Sequence, residues 1–330
     1  MNKIRYIFAR FDEMYSLFVH KGKALKCLYF IDYCFSLLID GASIYDYFAY
    51  DFFHRRLSGR NVYITFRKFK RIQDRCNRWS DFNLLRDKAQ FNELFADLLG
   101  RKSLDLTHAT KEQFVAFCKT LKEIFVKDAM SLQGKGISTY VVADTDLEAL
   151  YDKLKAEDTK YLIEERIVQC KELAEFHPSS INTLRVVSVY DDTNDTVTIT
   201  TACFRMGNNG SRVDNFCSGG ILANINVETG LICTPGYNEH NDVFYYHPFS
   251  GKQILGYKIP HWEECKQFIR EAAKRLPTVR YVGWDLVELE DVKFLLIEGN
   301  NDADFTAEQT NGPGLWPMYD QLTKHLKPVN

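Results

Sequence analysis

Two carboxylates and one amide near the C-terminal end of the sequence are spaced so that they could hold a divalent cation. Asp285 lies in an apolar, β-prone run, which is followed by a polar corner at residues 290–293. Glu298 and Asn300 lie in the next apolar run. A connection of this length predicts a β-hairpin that places Asp285 opposite Glu298 or within one residue of it. Because Glu298 and Asn300 are two residues apart, both should project from the same face of their strand.

The predicted hairpin has two interpretations. Carboxylates that face each other across a strand pair repel, and a cation between them removes that cost. Mg²⁺ suits such a site, since proteins hold it with one or two carboxylates and with the oxygens of bound phosphates. The alternative is an exposed hairpin whose polar side chains face water, because antiparallel sheets often keep one face solvated. The hairpin alone leaves both interpretations open.

A second group of residues could bind phosphate. Lys127 ends a short apolar strand, and Gly134, Lys135 and Gly136 follow in a loop. Glycines allow backbone amides to approach an oxyanion closely, and a lysine beside them adds positive charge. The loop does not match the P-loop pattern, because no GxxxxGK[ST] opens a helix here. A plain glycine turn with an exposed lysine explains the same residues.

Charged residues also occur within predicted strands. Glu164 lies in the strand at residues 161–168, whose edge could offer backbone groups to a planar base while the acid accepts an exocyclic amine. An amphipathic edge strand with exposed charges is the alternative. Arg185 lies among apolar residues, so it must be paired with an anion, either a phosphate or a structural carboxylate. Arg205 lies in the following strand, at residues 196–206.

Composition limits the class of protein. A chain of 330 residues with 45% apolar residues can bury a large core in two or three subdomains. Its net charge of −2 gives no overall field that favours nucleic acid. The nine cysteines include no CxxC pair, which favours reduced thiols in a cytoplasmic protein over disulfides or zinc.

Targeting and membrane signals are weak in this sequence. The first residues lack the long apolar core and small-residue cleavage site of a signal peptide. The apolar run from Cys27 to Ile39 contains Asp32 and is too short to span a bilayer. We therefore expect no transmembrane segment, although contact with a membrane surface stays open.

The order of predicted elements separates a helical region from a mixed one. Residues 1 to about 100 are predicted to be mostly helical, with apolar residues at spacings of three and four. One such series is Leu25, Leu28, Ile31, Phe35 and Leu38. Residues 55–78 carry about nine lysines and arginines, which could form either a solvated face or a surface for an anionic acceptor. Further on, helices are predicted at 111–122, 144–155 and 262–276, the second capped by Asp144 or Thr145.

Several short segments carry a resemblance to a known family. They stand in a characteristic order: Ile181-Asn182-Thr183-Leu184-Arg185-Val186, Val213-Asp214-Asn215 with Gly219-Gly220, His247-Pro248, Ile259-Pro260-His261-Trp262, Gly283-Trp284-Asp285 and Glu298-Gly299-Asn300. Over about residues 120–310 the sequence resembles the ATP-grasp superfamily, and within it the sugar-transfer-associated branch. The resemblance implies an α+β protein in which two α/β subdomains with antiparallel sheets grip ATP, preceded by a mostly helical N-terminal region.

The resemblance also implies a division of the chain. The helical region would cover residues 1–105, and the small subdomain, with its lysine strand and glycine lid, residues 106–165. The large subdomain with the metal site would cover residues 166–330.

Site roles are carried over from the resemblance residue by residue. Lys127 would contact the nucleotide phosphates, and Gly134-Lys135-Gly136 would form a lid over them. Glu164 would lie near the adenine, with the backbone around Arg166 and Ile167 contacting its edge. Mg²⁺ would be held by Asp285, Glu298 and Asn300. The transferred phosphoryl group would be contacted by Arg185 and Arg205.

The activity implied is ATP- and Mg²⁺-dependent ligation of a carboxylate to an amine through an acyl phosphate. The branch connects it to sugars, so the expected substrates are small molecules such as an amino acid or amine and a sugar acid or nucleotide-sugar, in surface-polysaccharide synthesis. Two other functions stay open on the same residues. One is a small-molecule or sugar kinase, and the other is a non-catalytic nucleotide-binding subunit of a glycan-assembly complex.

Overall fold

A computed structural model describes residues 3–19, 23–130, 137–208, 219–239, 242–310 and 312–329. The predicted lid Gly134-Lys135-Gly136 and the segment Val213-Asp214-Asn215 lie outside these residues. The chain divides into two compact units. One contains residues 1–78 and 302–330, and the other contains residues 79–301. We call them the terminal unit and the central unit.

The helices and strands follow in chain order. The α-helices are α1 (Lys3–Phe18), α2 (Lys23–Ile39), α3 (Ile44–Ala49), α4 (Leu57–Arg60), α5 (Phe66–Cys76), α6 (Asn83–Arg86), α7 (Lys88–Leu94), α8 (Lys111–Cys118), α9 (Leu147–Ala156), α10 (Lys171–Ala174), α11 (Trp262–Lys274), α12 (Thr306–Thr310) and α13 (Trp316–Thr323). The strands are β1 (Ser103–Asp105), β2 (Glu123–Asp128), β3 (Ile137–Val141), β4 (Tyr161–Glu165), β5 (Thr183–Asp191), β6 (Thr196–Met206), β7 (Ile221–Ile225), β8 (Gly236–Tyr237), β9 (Val243–Phe244), β10 (Tyr281–Leu289) and β11 (Lys293–Asn300).

The described residues of the central unit form two sheets. The smaller has the strand order β1-β4-β2-β3, and the larger has the order β11-β10-β5-β6-β7-β8-β9. The strand pairs between neighbours are antiparallel in both sheets. Helices and antiparallel sheets together confirm the predicted α+β class.

One face of the small sheet packs on an apolar core, and the other face carries charged as well as apolar side chains. Ile124 and Val126 of β2 are buried with Phe114 of α8 and Leu150 of α9. Strand side chains alternate between faces, so Lys127 points away from this core. This alternation frees one face of the sheet for polar side chains.

The large sheet is built around the hairpin of β10 and β11. Trp284 is fully buried, donates from its indole nitrogen to the Ser188 hydroxyl at 2.9 Å, and packs edge-on against Phe95. A side chain at Gly299 would meet the Cδ2 atom of Leu85 at 2.9 Å, which explains a glycine between Glu298 and Asn300. The core thus fixes the hairpin from the face opposite Asp285.

The terminal unit buries a cluster of aromatic side chains between α1, α2 and α3. Phe11, Tyr47 and Phe48 are almost completely buried there. Arg60 donates to Asp32 at 2.8 and 3.1 Å, which explains how a charged residue fits within the apolar α2. None of the helices in the described ranges is both long and apolar enough to cross a bilayer.

Some predicted boundaries were wrong. The helix predicted at 144–155 begins at Leu147, because the carboxylate of Asp146 accepts from the backbone of Glu148 and Ala149 and acts as the cap. The helix predicted at 111–122 ends at Cys118. The strand predicted at 161–168 ends at Glu165. Propensity alone does not locate the caps that end helices.

Candidate functional site

The hairpin pairs its two acidic residues directly. Asp285 lies opposite Glu298, and the register shifts by one residue immediately after this pair. The predicted pairing is therefore confirmed. Asn300 donates from its amide to Glu298 Oε1 at 3.3 Å, so both side chains lie on one face of β11.

Two arginines on neighbouring strands hold Asp285. Arg185 lies opposite Asp285 on β5 and donates to both carboxylate oxygens, at 2.9 Å from Nη2 to Oδ2. Arg205 of β6 donates to Oδ2, also at 2.9 Å. Of the two anions predicted for Arg185, the structure contains the carboxylate. One row of the sheet thus carries Arg185, Asp285 and Glu298 side by side.

The two carboxyl groups of this row titrate in opposite directions. Burial disfavours the charge on Asp285, but Arg185 and Arg205 outweigh it and hold the pKa of Asp285 well below its usual range. Desolvation, followed by the charge of Asp285, raises the pKa of Glu298 to about 7. Below about pH 7, Glu298 therefore holds a proton between the two adjacent carboxyl groups, while Asp285 stays ionised.

The residues present fit a hard divalent cation. A cation in place of the shared proton would compensate both carboxylates, and the Asn300 amide supplies a further oxygen of the kind that Mg²⁺ prefers. Within the part of the chain that the structure describes, no three His, Cys, Asp or Glu side chains form a metal-binding group. A Mg²⁺ ion held here would therefore need oxygens from a bound phosphate as well.

A second buried carboxylate lies on the small sheet. Glu164 accepts from Lys127 at 2.5 Å, from Arg101 at 2.8 Å and from Asn92 at 3.2 Å. Burial disfavours the charge on Glu164, but Lys127 and then Arg101 outweigh it and hold the pKa of this carboxyl well below its usual range. Glu164 is thus a permanent anion with two cationic partners.

Arg101 and Lys88 connect the two sheets. Arg101 also donates to the backbone oxygen of Leu296 on β11 at 2.6 Å. The Lys88 ammonium donates to the backbone oxygen of Asp128 at 3.0 Å. Burial lowers the pKa of Lys88, and the nearby charge of Glu298 opposes this shift. Lys88 therefore lies within electrostatic range of both acidic clusters.

The remaining predicted site residues lie at the end of β4 or outside the described ranges. Arg166 and Ile167 directly follow the last residue of β4. The Arg166 side chain is exposed and donates to Glu123 at 3.0 Å. The Gly134-Lys135-Gly136 loop lies outside the described residues.

Sequence reasoning missed Lys88, Arg101 and Asn92 as parts of the site. An Asp87-Lys88 pair was the one available signal, since Asp87 caps α7 and Lys88 is its first residue. Arg101 and Asn92 carry no motif and reach Glu164 only through the fold. Tertiary contacts of this kind leave no periodic pattern in a sequence.

Family comparison identifies the class of protein in which these side chains meet. Residues 68–324 match the model of the sugar-transfer associated ATP-grasp family. This span covers well over half of the chain, so the fold described above is that of an ATP-grasp protein. The chain belongs to the sugar-transfer associated ATP-grasp family, as predicted.

Solved structures with a similar fold are distant in sequence. One is the ATP-grasp ligase PsnB with a precursor variant, Mg and ADP, at 17% identity and a TM-score of 0.44, covering 75% of this chain and 60% of PsnB. Another is D-alanyl-alanine synthetase A from Vibrio cholerae, at 13% identity and a TM-score of 0.41, covering 74% of this chain and 61% of the synthetase. The chain thus spans less than two thirds of either protein. No curated protein matches the chain.

Proposed function

We propose that the chain is an ATP- and Mg²⁺-dependent ligase that joins a carboxylate to an amine through an acyl phosphate. The observation that carries this proposal is the row of Arg185, Asp285 and Glu298 in a member of the ATP-grasp family. The carboxyl groups of the hairpin could hold a cation, and the arginines beside them suit the phosphate chain that such a cation accompanies.

The proposed roles follow the contacts. Asp285, Glu298 and Asn300 would hold Mg²⁺, which when bound neutralises charge on the phosphates. Arg185 and Arg205 would orient Asp285, and their guanidinium groups would contact a transferred phosphoryl group.

The nucleotide contacts are assigned to the small sheet and the segment before it. Lys127 and Lys88 would contact the phosphates, and Gly134-Lys135-Gly136 would cover them. Glu164 and the backbone of Arg166 and Ile167 would contact the adenine. We also propose the division into residues 1–105, 106–165 and 166–330, and a cytoplasmic location.

The chemistry proposed is phosphoryl transfer in two balanced steps. The substrate carboxylate attacks the γ-phosphorus of ATP, which forms an acyl phosphate and releases ADP. The amine then attacks the acyl carbon, which forms the amide and releases phosphate. Neither step needs a protein nucleophile, because positioning and charge neutralisation supply most of the rate.

The substrates proposed are an amino acid or amine and a sugar acid used in surface-polysaccharide synthesis. The sugar part of this proposal is supported by the family description. A panel of amines against uronic acids would identify the pair.

Isotope transfer tests the proposal. With an ¹⁸O-labelled carboxylate, one labelled oxygen should appear in the released phosphate, and phosphate release should need the carboxylate and the amine together. A phosphorylated alcohol with ADP would instead indicate a kinase. Nucleotide binding without turnover over the whole panel would indicate a non-catalytic subunit, and either result contradicts the ligase.

A further inference from the structure

The solvent face of α2 is apolar along almost its whole length. Leu28, Ile31, Phe35 and Leu38 are 53–72% exposed and follow one another at spacings of three and four. We call these four residues the α2 face. The spacing predicted a helix correctly, but the side of the helix that it marks faces solvent rather than the core.

Two charged residues of α2 are paired with neighbouring helices. Lys26 pairs with Asp12 at 2.5 Å, and Asp32 pairs with Arg60 at 2.8 Å. Phe8 of α1, itself half exposed, stacks on Phe30 at 4.7 Å between ring centroids. Exposed apolar surface therefore continues from α2 towards α1. Such surface usually marks a binding site for a protein or a membrane.

Basic residues lie beside the C-terminal end of the α2 face. Arg67 donates to the backbone oxygens of Leu37 and Leu38 at 2.8 and 3.1 Å. This contact places the start of α5 next to the last turn of α2. Phe66, at 64% exposed, and Arg71, also exposed, lie on the same short helix. Apolar and cationic side chains are thus mixed at this end.

Charge is divided unevenly between the two units. The terminal unit, residues 1–78 and 302–330, contains 17 lysines and arginines against 11 aspartates and glutamates. The central unit contains 25 against 33. The near-neutral total therefore hides a basic unit of net charge +6 that carries the exposed apolar face. Charge asymmetry of this kind favours an anionic partner surface.

We propose that the α2 face and the basic residues beside it form a docking surface for an anionic lipid bilayer. An interfacial helix inserts its apolar side to the level of the headgroups, while lysines and arginines contact anionic lipids. The observations favour a bilayer over a second copy of this chain. Paired helices normally carry charged residues beside the apolar seam, whereas the described charges of α2 are engaged by Asp12 and Arg60 of neighbouring helices. This inference does not depend on the proposed ligase activity.

Vesicle flotation of the full chain tests the proposal. We expect binding to phosphatidylcholine vesicles that contain about one quarter phosphatidylglycerol, and at least about tenfold weaker binding to phosphatidylcholine alone. The triple variant Leu28→Gln, Ile31→Gln, Leu38→Gln should lose binding at least about tenfold, since these exposed positions give up apolar insertion. The variant Arg71→Gln should bind the anionic vesicles about fivefold more weakly.

A matched control uses exposed aromatic residues of the central unit. The variant Tyr245→Ser, Tyr246→Ser, Phe249→Ser changes side chains of similar exposure and should bind as the wild type does. Circular dichroism would verify folding, and the single variant Phe35→Ser would replace a triple variant that fails to fold.

Two results would overturn the proposal. One is a wild-type chain that does not float with anionic vesicles. The other is a dimer in light scattering that the triple variant converts to a monomer while vesicle binding is unchanged, because a second copy would then cover the α2 face.

Discussion

Glu164 on the small sheet and Glu298 on the hairpin are two glutamates of one unit with opposite behaviour. Glu164 is buried and stays ionised, because Lys127 and Arg101 both contact it. Glu298 has a pKa of about 7, because desolvation and then the charge of Asp285 raise it, while the two arginines nearby contact Asp285. Burial disfavours the charge on both carboxyl groups, and only at Glu164 do contacting cations outweigh it.

The two clusters differ in which carboxyl group the cationic side chains contact: Glu164 on the small sheet, but Asp285 at the hairpin. The Glu164 cluster has its cations built into the chain, so it can position Lys127 without a ligand. At the hairpin the two arginines contact Asp285, and Glu298 holds a proton below about pH 7, so Glu298 is the carboxyl group that an added cation would stabilise. We interpret the first as a scaffold and the second as the place where a cation with its phosphates would bind.

The largest expected effect is on turnover at the hairpin. Glu298→Gln keeps the size and hydrogen bonds of the side chain but removes the charge that would hold the cation. We expect kcat to fall by about a thousandfold or more, a loss of roughly 4 kcal/mol of transition-state stabilisation. Phosphate release with the identified substrates measures it.

Glu290→Gln, in the exposed loop of the same hairpin, is the control and should keep full activity. A wild-type turnover rate in Glu298→Gln would show that Glu298 does not hold a catalytic cation. Glu298 is a cleaner probe than Asp285, whose loss would remove the carboxylate that Arg185 and Arg205 contact.

The next effect is on stability at the small sheet. Arg101→Met should lower the free energy of unfolding by about 3 kcal/mol, because removing one partner of a buried ion pair leaves charge uncompensated. Urea unfolding followed by circular dichroism measures this change. The matched variant Arg166→Met breaks the exposed pair with Glu123 and should cost about 1 kcal/mol or less. Equal losses in the two variants would argue against a scaffold.

A smaller effect should appear in the pH dependence of stability. The folded-state pKa of Glu298 is raised from 4.5 to about 7, so the folded chain binds this proton more tightly than the unfolded chain. Stability from this group is therefore present below pH 4.5 and is lost as pH rises towards about 7. As the pH rises across this window, the free energy of unfolding of the wild type should fall by about 2 kcal/mol relative to that of Glu298→Gln. A difference in unfolding free energy between the two proteins that stays the same at every pH would contradict the raised pKa of Glu298.

The smallest effect is on nucleotide affinity. Lys127→Gln should weaken ATP binding by about tenfold, the size of one lost charge-assisted contact of roughly 1.4 kcal/mol. A fluorescent nucleotide titration measures it. Lys111→Gln, an exposed lysine that pairs with Asp152, should bind ATP as the wild type does. An unchanged affinity in Lys127→Gln would assign the lysine to Glu164 alone.

Local pattern predicted the parts of the molecule that depend on neighbours in sequence. Alternating apolar residues and a short polar corner predicted the hairpin and the pairing of Asp285 with Glu298. A buried arginine among apolar residues required an anion, and the structure supplies Asp285. Such inferences succeed because strand geometry and the cost of a buried charge are local or general rules.

Other features depend on contacts that sequence does not encode locally. Arg101 lies 63 residues from Glu164 and reaches it through the fold. The apolar spacing in α2 predicted a helix but not that this face is exposed, because periodicity does not say what covers it. A net charge of −2 likewise hid a basic terminal unit.

Proton release on cation binding tests the central claim most directly. Calorimetry of Mg²⁺ with a non-hydrolysable ATP analogue, at about pH 6 in buffers of different ionisation enthalpy, counts the protons released. We predict about one proton more from the wild type than from Glu298→Gln, because the cation would displace the proton that Glu298 holds below its pKa of about 7. Equal proton release from the two proteins, with equal affinity, would contradict a cation site at this hairpin.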